Sequence, residues 1–292
     1  MRSTRTLPLI ASAAALAIVS GMPAQAADLL IDPPVIEVPE VPVSSGGWYL
    51  RGDIGYAFTQ TDGEPMFFRS DAGFGYESFT SSEVEDHLRM GIGLGYKVND
   101  YLRVDGTVSY SFDSDFSGST SGSCAGGGFS YDATFVAGTF DPAAANCTSS
   151  DVDSLTKLGI MANAYIDLGT FSGFTPYVGG GLGGSYVSYD GLSNTIDCPA
   201  GLPTGVSCVP TTFSHGGEKS WRFAWALHAG FSYEVSKQLA LDFGYTYSRI
   251  EGGAQFAFDA GSQSARLMPG AQGFDKGFEE HILRAGIRYH LW

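Results

Sequence analysis

The most restrictive feature of the chain is a period-two alternation of apolar and polar residues that returns eight times. In "GWYLRGDIGYAF" the even positions are Trp48, Leu50, Gly52, Ile54, Tyr56 and Phe58, while Arg51 and Asp53 hold odd ones. Successive side chains of a strand point to opposite faces, so this spacing predicts a strand with one oily and one charged face. "HLRMGIGLGYKV" sets Leu88, Met90, Ile92, Leu94 and Tyr96 against His87, Arg89 and Lys97. "YLRVDGTVSYSF" sets Leu102, Val104, Val108, Tyr110 and Phe112 against Arg103 and Asp105, and "LTKLGIMANAYIDL" sets Leu158, Ile160 and Ile166 against Lys157, Asn163, Tyr165 and Asp167. "PYVGGGLGGSYVSY" is the weakest, with Val178, Leu182 and Tyr186 among glycines. "SWRFAWALHAGFSYEV", "LALDFGYTYS" and "HILRAGIRYHLW" complete the set. Each is long enough for the roughly 9–11 residues with which a tilted strand crosses a bilayer.

The connections between these segments alternate in length. Three are short, around Asn99 and Asp100, from Gly169 to Thr175 and from Ser236 to Gln238. Four are long, about Thr59 to Glu83, Asp113 to Ser154, Asp190 to Lys219 and Glu251 to Glu279. Short turns at one end and long loops at the other predict an all-β fold, an eight-stranded antiparallel transmembrane barrel with periplasmic turns and extracellular loops. A soluble β-sandwich also alternates, but it does not need aromatics at both strand ends. Here Trp48, Tyr96, Tyr101, Tyr177, Tyr233 and Trp292 fall near the short-turn end, and Phe58, Phe112, Tyr186, Trp221 and Tyr247 near the other. Two interfacial girdles are the expected reading.

The first 26 residues fit an exported chain. Arg2 and Arg5 precede an apolar run from Leu7 to Val19, and Ala24-Gln25-Ala26 matches a signal-peptidase site. The run is too short for a membrane anchor, which needs about 20 residues. Residues 27–46 form a tail in which Pro33, Pro34, Pro39 and Pro42 favour an extended spacer. The barrel is expected over 47–292, with both termini in the periplasm of a Gram-negative cell. Forty glycines and 13% aromatics suit an all-β chain, and a net charge of −15 argues against nucleic acid. Cys124, Cys147, Cys198 and Cys208 would be oxidised after export. Three pairings are open to four cysteines; their grouping favours Cys124–Cys147 and Cys198–Cys208. Neither a metal site nor a cofactor is expected.

The inward faces carry a candidate lumenal network of Arg51, Asp53, Arg103, Asp105, Asp242, Arg284 and Arg288. Asp242 is expected to neighbour Arg284 and Arg288. In a barrel of eight strands the interior is just wide enough for side chains to fill, so the network reads as a neutralised plug, with a gate or a narrow solute path as the alternative. The loops are acidic, at Asp62, Glu64, Asp71, Glu83, Asp113 and Asp151 among others, without a calcium-loop pattern. Residues 126–140, between the first two cysteines, read as a loop hairpin or as two further strands. No enzyme is expected. Ser214 and His215 are adjacent but in a loop, His281 lies toward lipid near the outer rim, and no G-x-S-x-G elbow is present.

"GWYLRGDIGYAF" after a Pro-rich N-terminus, "TPYVGGGLG" and the final "LRAGIRY" resemble the small outer-membrane barrels of alpha-proteobacteria. These are the brucella- and rhizobium-type surface antigens of the porin-like, OmpA-like superfamily. The resemblance covers the leader and all eight strands and little of the loops. It implies an eight-stranded outer-membrane barrel among lipid and lipopolysaccharide, inserted by the barrel-assembly machinery. Such barrels usually end on an aromatic at the lipid-facing phase. Here Leu291 holds that phase and Trp292 lies one residue beyond, so either Trp292 swings outward or a bulge shifts the register. The role implied is structural and surface-displaying, with a narrow porin-like channel, or an adhesin or ligand receptor acting through the loops, as alternatives.

Overall fold

Backbone pairing carries the alternating segments into one closed ring. The structure, a computed structural model of the chain, describes residues 46–69, 75–124, 145–197, 210–259 and 270–291. The strands are β1 (Gly47–Thr61), β2 (Met66–Arg69), β3 (Gly75–Ser78), β4 (Ser81–Val84), β5 (His87–Lys97), β6 (Leu102–Ser119) and β7 (Ser121–Cys124). They continue as β8 (Ala145–Asp167), β9 (Phe174–Tyr189), β10 (Ser193–Asp197), β11 (Thr211–Ser214), β12 (Lys219–Glu234), β13 (Leu239–Ala257) and β14 (Ala271–His290). Eight of these, β1, β5, β6, β8, β9, β12, β13 and β14, pair antiparallel in that order, and β14 closes on β1. The leader, the Pro-rich tail up to residue 45, the 126–140 segment, Cys198, Cys208 and Trp292 lie outside the described residues.

Turn chemistry fixes the short end. Asn99 Oδ1 accepts the N–H groups of Tyr101 and Leu102, each at 2.8 Å, which makes an Asx turn. Gly169 and Gly173 take φ values of 99° and 84° around the Phe171–Phe174 bridge, a region that side chains rarely tolerate. The Ser236 hydroxyl accepts the Leu239 N–H at 3.1 Å.

At the long-loop end the strands run much further than hydropathy predicts. β8 begins at Ala145 and β14 at Ala271, within segments expected to be loops. With 20 residues, β14 is about twice as long as a bilayer requires. The physical reason is visible in β8. There Cys147, Ser149, Asp151, Asp153 and Leu155 are buried, alternating with exposed Thr148, Ser150 and Val152. Burial keeps its period of two, but the inward residues are polar, so the apolar pattern disappears. The short strands β2, β3, β4, β7, β10 and β11 extend this wall. Inside it sits an apolar cluster of Phe79, Val84, Phe116, Leu155, Val187, Leu192, Ile250, Phe256 and Phe278.

Candidate functional site

The lumen is where the chain concentrates its charge, and register decides how that charge fits. On β1 and β5 the inward residues Tyr49, Arg51 and Asp53 stand opposite Gly95, Gly93 and Gly91. On β8 and β9, Tyr165, Asn163 and Met161 stand opposite Gly179, Gly181 and Gly183. A Cβ on Gly95 would lie 2.2 Å from the Tyr49 ring, and one on Gly181 2.1 Å from Asn163 Oδ1. Pairing large with absent side chains across each ladder lets a narrow barrel hold bulky groups. The Gly-rich strand is therefore the partner surface of its neighbour.

Near the short-turn end the charges neutralise one another. Arg51 binds Asp105 at 2.9 Å and Asp53 at 3.2 Å, and donates to the Tyr165 hydroxyl at 2.9 Å. Tyr49 and Asn163 also donate to Asp105, at 3.1 and 2.8 Å. Arg103 grips Asp167 through both Nε and Nη2, at 2.8 and 2.7 Å, the two-pronged geometry that guanidinium and carboxylate favour. Arg288 lies 3.4 Å from Asp242, with Ser232 hydrogen-bonded to both.

Two expectations need correction. Arg284 does not join Asp242; it donates to the Tyr177 hydroxyl at 3.2 Å, and among the described residues no carboxylate lies within ion-pair distance of it. Tyr177 is not a girdle residue. It is 3% exposed, and its ring meets Tyr165 at 5.7 Å and the Arg103 guanidinium at 5.1 Å. Its place one residue before Val178 puts it in the inward phase, and Gly230 and Gly244 leave room for its hydroxyl. The other described girdle candidates lie on the outer wall. Trp48, Phe58, Tyr101, Phe112, Trp221 and Tyr233 are exposed there. Tyr96 packs edge-on against Trp48 at 5.3 Å, and Tyr247 against Trp225 at 5.5 Å. Against β1 the last strand keeps an unbroken register from Thr61–Phe278 to Tyr49–His290, so no bulge shifts it over that span.

A second charged layer stands above the first, and sequence reasoning missed it. Glu280, fully buried, meets Lys157 at 2.5 Å and Arg89 at 3.3 Å, with His87 at 3.8 Å. These residues come from β14, β8 and β5, and no local spacing announces them. Their one sequence signal is phase: Glu280 shares the inward face of Ile282 and Arg284. Higher still, Arg222 binds Asp275 at 2.7 Å, and Tyr189 donates to the same carboxylate at 2.9 Å. At the long-loop end, burial pushes Asp153 up to about 6 although the Gly191 and Ser154 N–H groups hydrogen-bond it. His281 faces outward as expected, its Nδ1 2.6 Å from the Tyr245 hydroxyl. His215 Nδ1 lies 3.1 Å from the Ala257 carbonyl.

The outer wall identifies the solvent. Ile92, Leu182, Leu227, Leu283 and Ile287 project outward, each more than half exposed. A belt of such residues around a closed barrel is far larger than the apolar patches of water-soluble proteins, and it fits lipid. A profile of the family described as outer membrane protein beta-barrel domain matches residues 11–268. The chain belongs to this family. A Brucella suis protein described as uncharacterized is 36% identical over 92% of this chain and 93% of its own length. A candidate adhesin of Rickettsia bellii is 24% identical over 84% of this chain and 88% of its own. The crystal structure of Neisserial surface protein A aligns with a TM-score of 0.42 and 17% identity, covering 83% of this chain and 96% of that one. The chain is thus an alpha-proteobacterial type of outer-membrane β-barrel.

Proposed function

We propose that this outer-membrane barrel maintains the envelope and displays its long loops, with a lumen that does not conduct solutes. The observation that carries the reading is the filled interior: a neutralised Arg/Asp/Tyr layer, the Glu280 cluster above it and an apolar core at the long-loop end. In this reading the short turns and both termini are periplasmic and the long walls face outside, as in other barrels with short turns at one end and long loops at the other. Residues 1–26 act as the removed signal peptide and 27–46 as a periplasmic spacer. The exposed aromatics, Trp48, Tyr101 and Tyr233 at one level and Phe58, Phe112 and Trp221 at the other, mark the two interfaces. Lipopolysaccharide and the barrel-assembly machinery are the partners this role requires, and it requires no catalysis. Export to an oxidising space would pair the four cysteines, Cys124 with Cys147 and Cys198 with Cys208.

Deleting the gene tests the reading. Cells without the protein are expected to become more sensitive to detergent while small-solute uptake stays unchanged. Slower uptake that the restored gene reverses would favour a channel instead. Adhesion through the loops is the second reading, favoured by the description of the Rickettsia bellii relative and by Tyr76, exposed beside Phe68 and Phe274. Loop-dependent binding to host cells would be its signature.

A further inference from the structure

The layered charges do not cancel equally. Near the short turns four cations, Arg51, Arg103, Arg284 and Arg288, face four carboxylates, Asp53, Asp105, Asp167 and Asp242. Toward the loops Arg222 and Asp275 form a pair of their own at 2.7 Å. Between them Arg89 and Lys157 share the single carboxylate of Glu280. Among the described residues no other carboxylate lies within ion-pair distance of either cation, and His87 beside Glu280 can add positive charge but not negative. The layer therefore holds one positive charge too many. Lys157 is buried and Arg89 only one-fifth exposed, and a charge held that far from water without a counter-charge is costly.

A cavity of about 10 Å³ opens at this place. Arg89, Lys157 and Glu280 line it, together with the hydroxyl-bearing Ser109, Ser111, Ser185 and Ser248. The Arg89 guanidinium is held toward it by a 2.7 Å hydrogen bond to Ser109 Oγ. Gly159 keeps the space open, since a Cβ there would come 2.8 Å from Ser109 Oγ and 3.4 Å from Arg89 Nη2. Such a volume suits one water-sized occupant, which excludes phosphate, sulfate and organic acids. Its donors are guanidinium, ammonium and hydroxyl groups, and its net charge is positive.

We propose that this cavity is the seat of one monatomic anion, chloride under physiological conditions. The anion completes the charge balance of the lumen, donated to by Arg89, Lys157 and the serine hydroxyls, on the side away from the Glu280 carboxylate. It is a resident structural ion and does not pass through the barrel.

The test uses the full barrel folded in detergent at constant ionic strength, with chloride exchanged for gluconate, which is too large to enter. A ligand bound only by the folded state stabilises in proportion to the logarithm of its concentration once it exceeds Kd. The melting temperature is therefore expected to climb by a constant increment for each tenfold rise in chloride. Arg89→Met removes the surplus charge while leaving Lys157 paired with Glu280, and is expected to abolish that slope. Glu280→Gln adds to the surplus and is expected to tighten binding, moving the onset of the rise to lower chloride while the increment per tenfold stays the same. Crystals of the unaltered barrel grown in bromide are expected to show one anomalous peak beside Arg89. Equal melting in chloride and gluconate, a slope that survives Arg89→Met, or no anomalous peak would each overturn the proposal.

Discussion

Gly95 and Tyr49 face each other across β5 and β1, and the space one lacks is the space the other fills. The same exchange joins Gly179 to Tyr165 and Gly181 to Asn163. Glycine costs conformational entropy in a strand, so its repeated use on inward positions needs a return. That return is room for the aromatic and charged groups that close the lumen. Adding a side chain should therefore hurt even where it raises strand propensity. Gly95→Val is expected to lower stability by about 1–3 kcal/mol, the usual range for overpacking, and Tyr49→Ala in the same chain is expected to recover part of the loss. Urea titration of the folded barrel in lipid vesicles checks both changes. A neutral Gly95→Val would show that the opposition of large and small residues is incidental.

At the scale of elements, hydropathy made the strands legible only where lipid is their outer solvent. Leu50, Ile54 and Tyr56 announce β1 because they must be apolar. Above that belt water wets the outside and small polar residues line much of the inside, so the first half of β8 reads as a loop although its burial alternates. "PYVGGGLGG" reads weakly for a different reason: its inward glycines make sense only opposite β8, and that pairing is not local. Arg284 fails similarly, because an inward phase says nothing of which neighbour a long side chain will reach. Tyr177 fails because its place near the strand end is given more weight than its inward phase. The extended β8 also carries a pH dependence. Burial raises Asp153 from 3.8 to about 6, so the folded state disfavours its ionised form. The sign follows directly. The stabilisation is fully present below about pH 4 and is lost as pH rises through about 6. The heat-denaturation midpoint is therefore expected to fall between pH 4 and 7 in the native chain by more than in Asp153→Asn. Identical pH profiles would remove Asp153 from the account.

For the whole molecule, the architecture was written in the sequence and the occupancy of its interior only partly so. Eight alternating segments, three short connections and four long ones specify a ring with two unlike ends. The charges of the lower layer were readable by phase, since Arg51, Asp53, Arg103 and Asp105 sit on inward positions of adjoining strands. The Glu280 layer was not, because it joins residues more than a hundred positions apart, and neither was the apolar core that roofs it. Together these layers make the barrel a filled cylinder. The most direct test is electrical: the refolded barrel is recorded in planar bilayers beside a Tyr49→Ala/Tyr165→Ala variant in which the rings filling the lower layer are gone. The account predicts no steady conductance from the native chain and measurable conductance from the variant. Large, stable open channels from the native chain would contradict it.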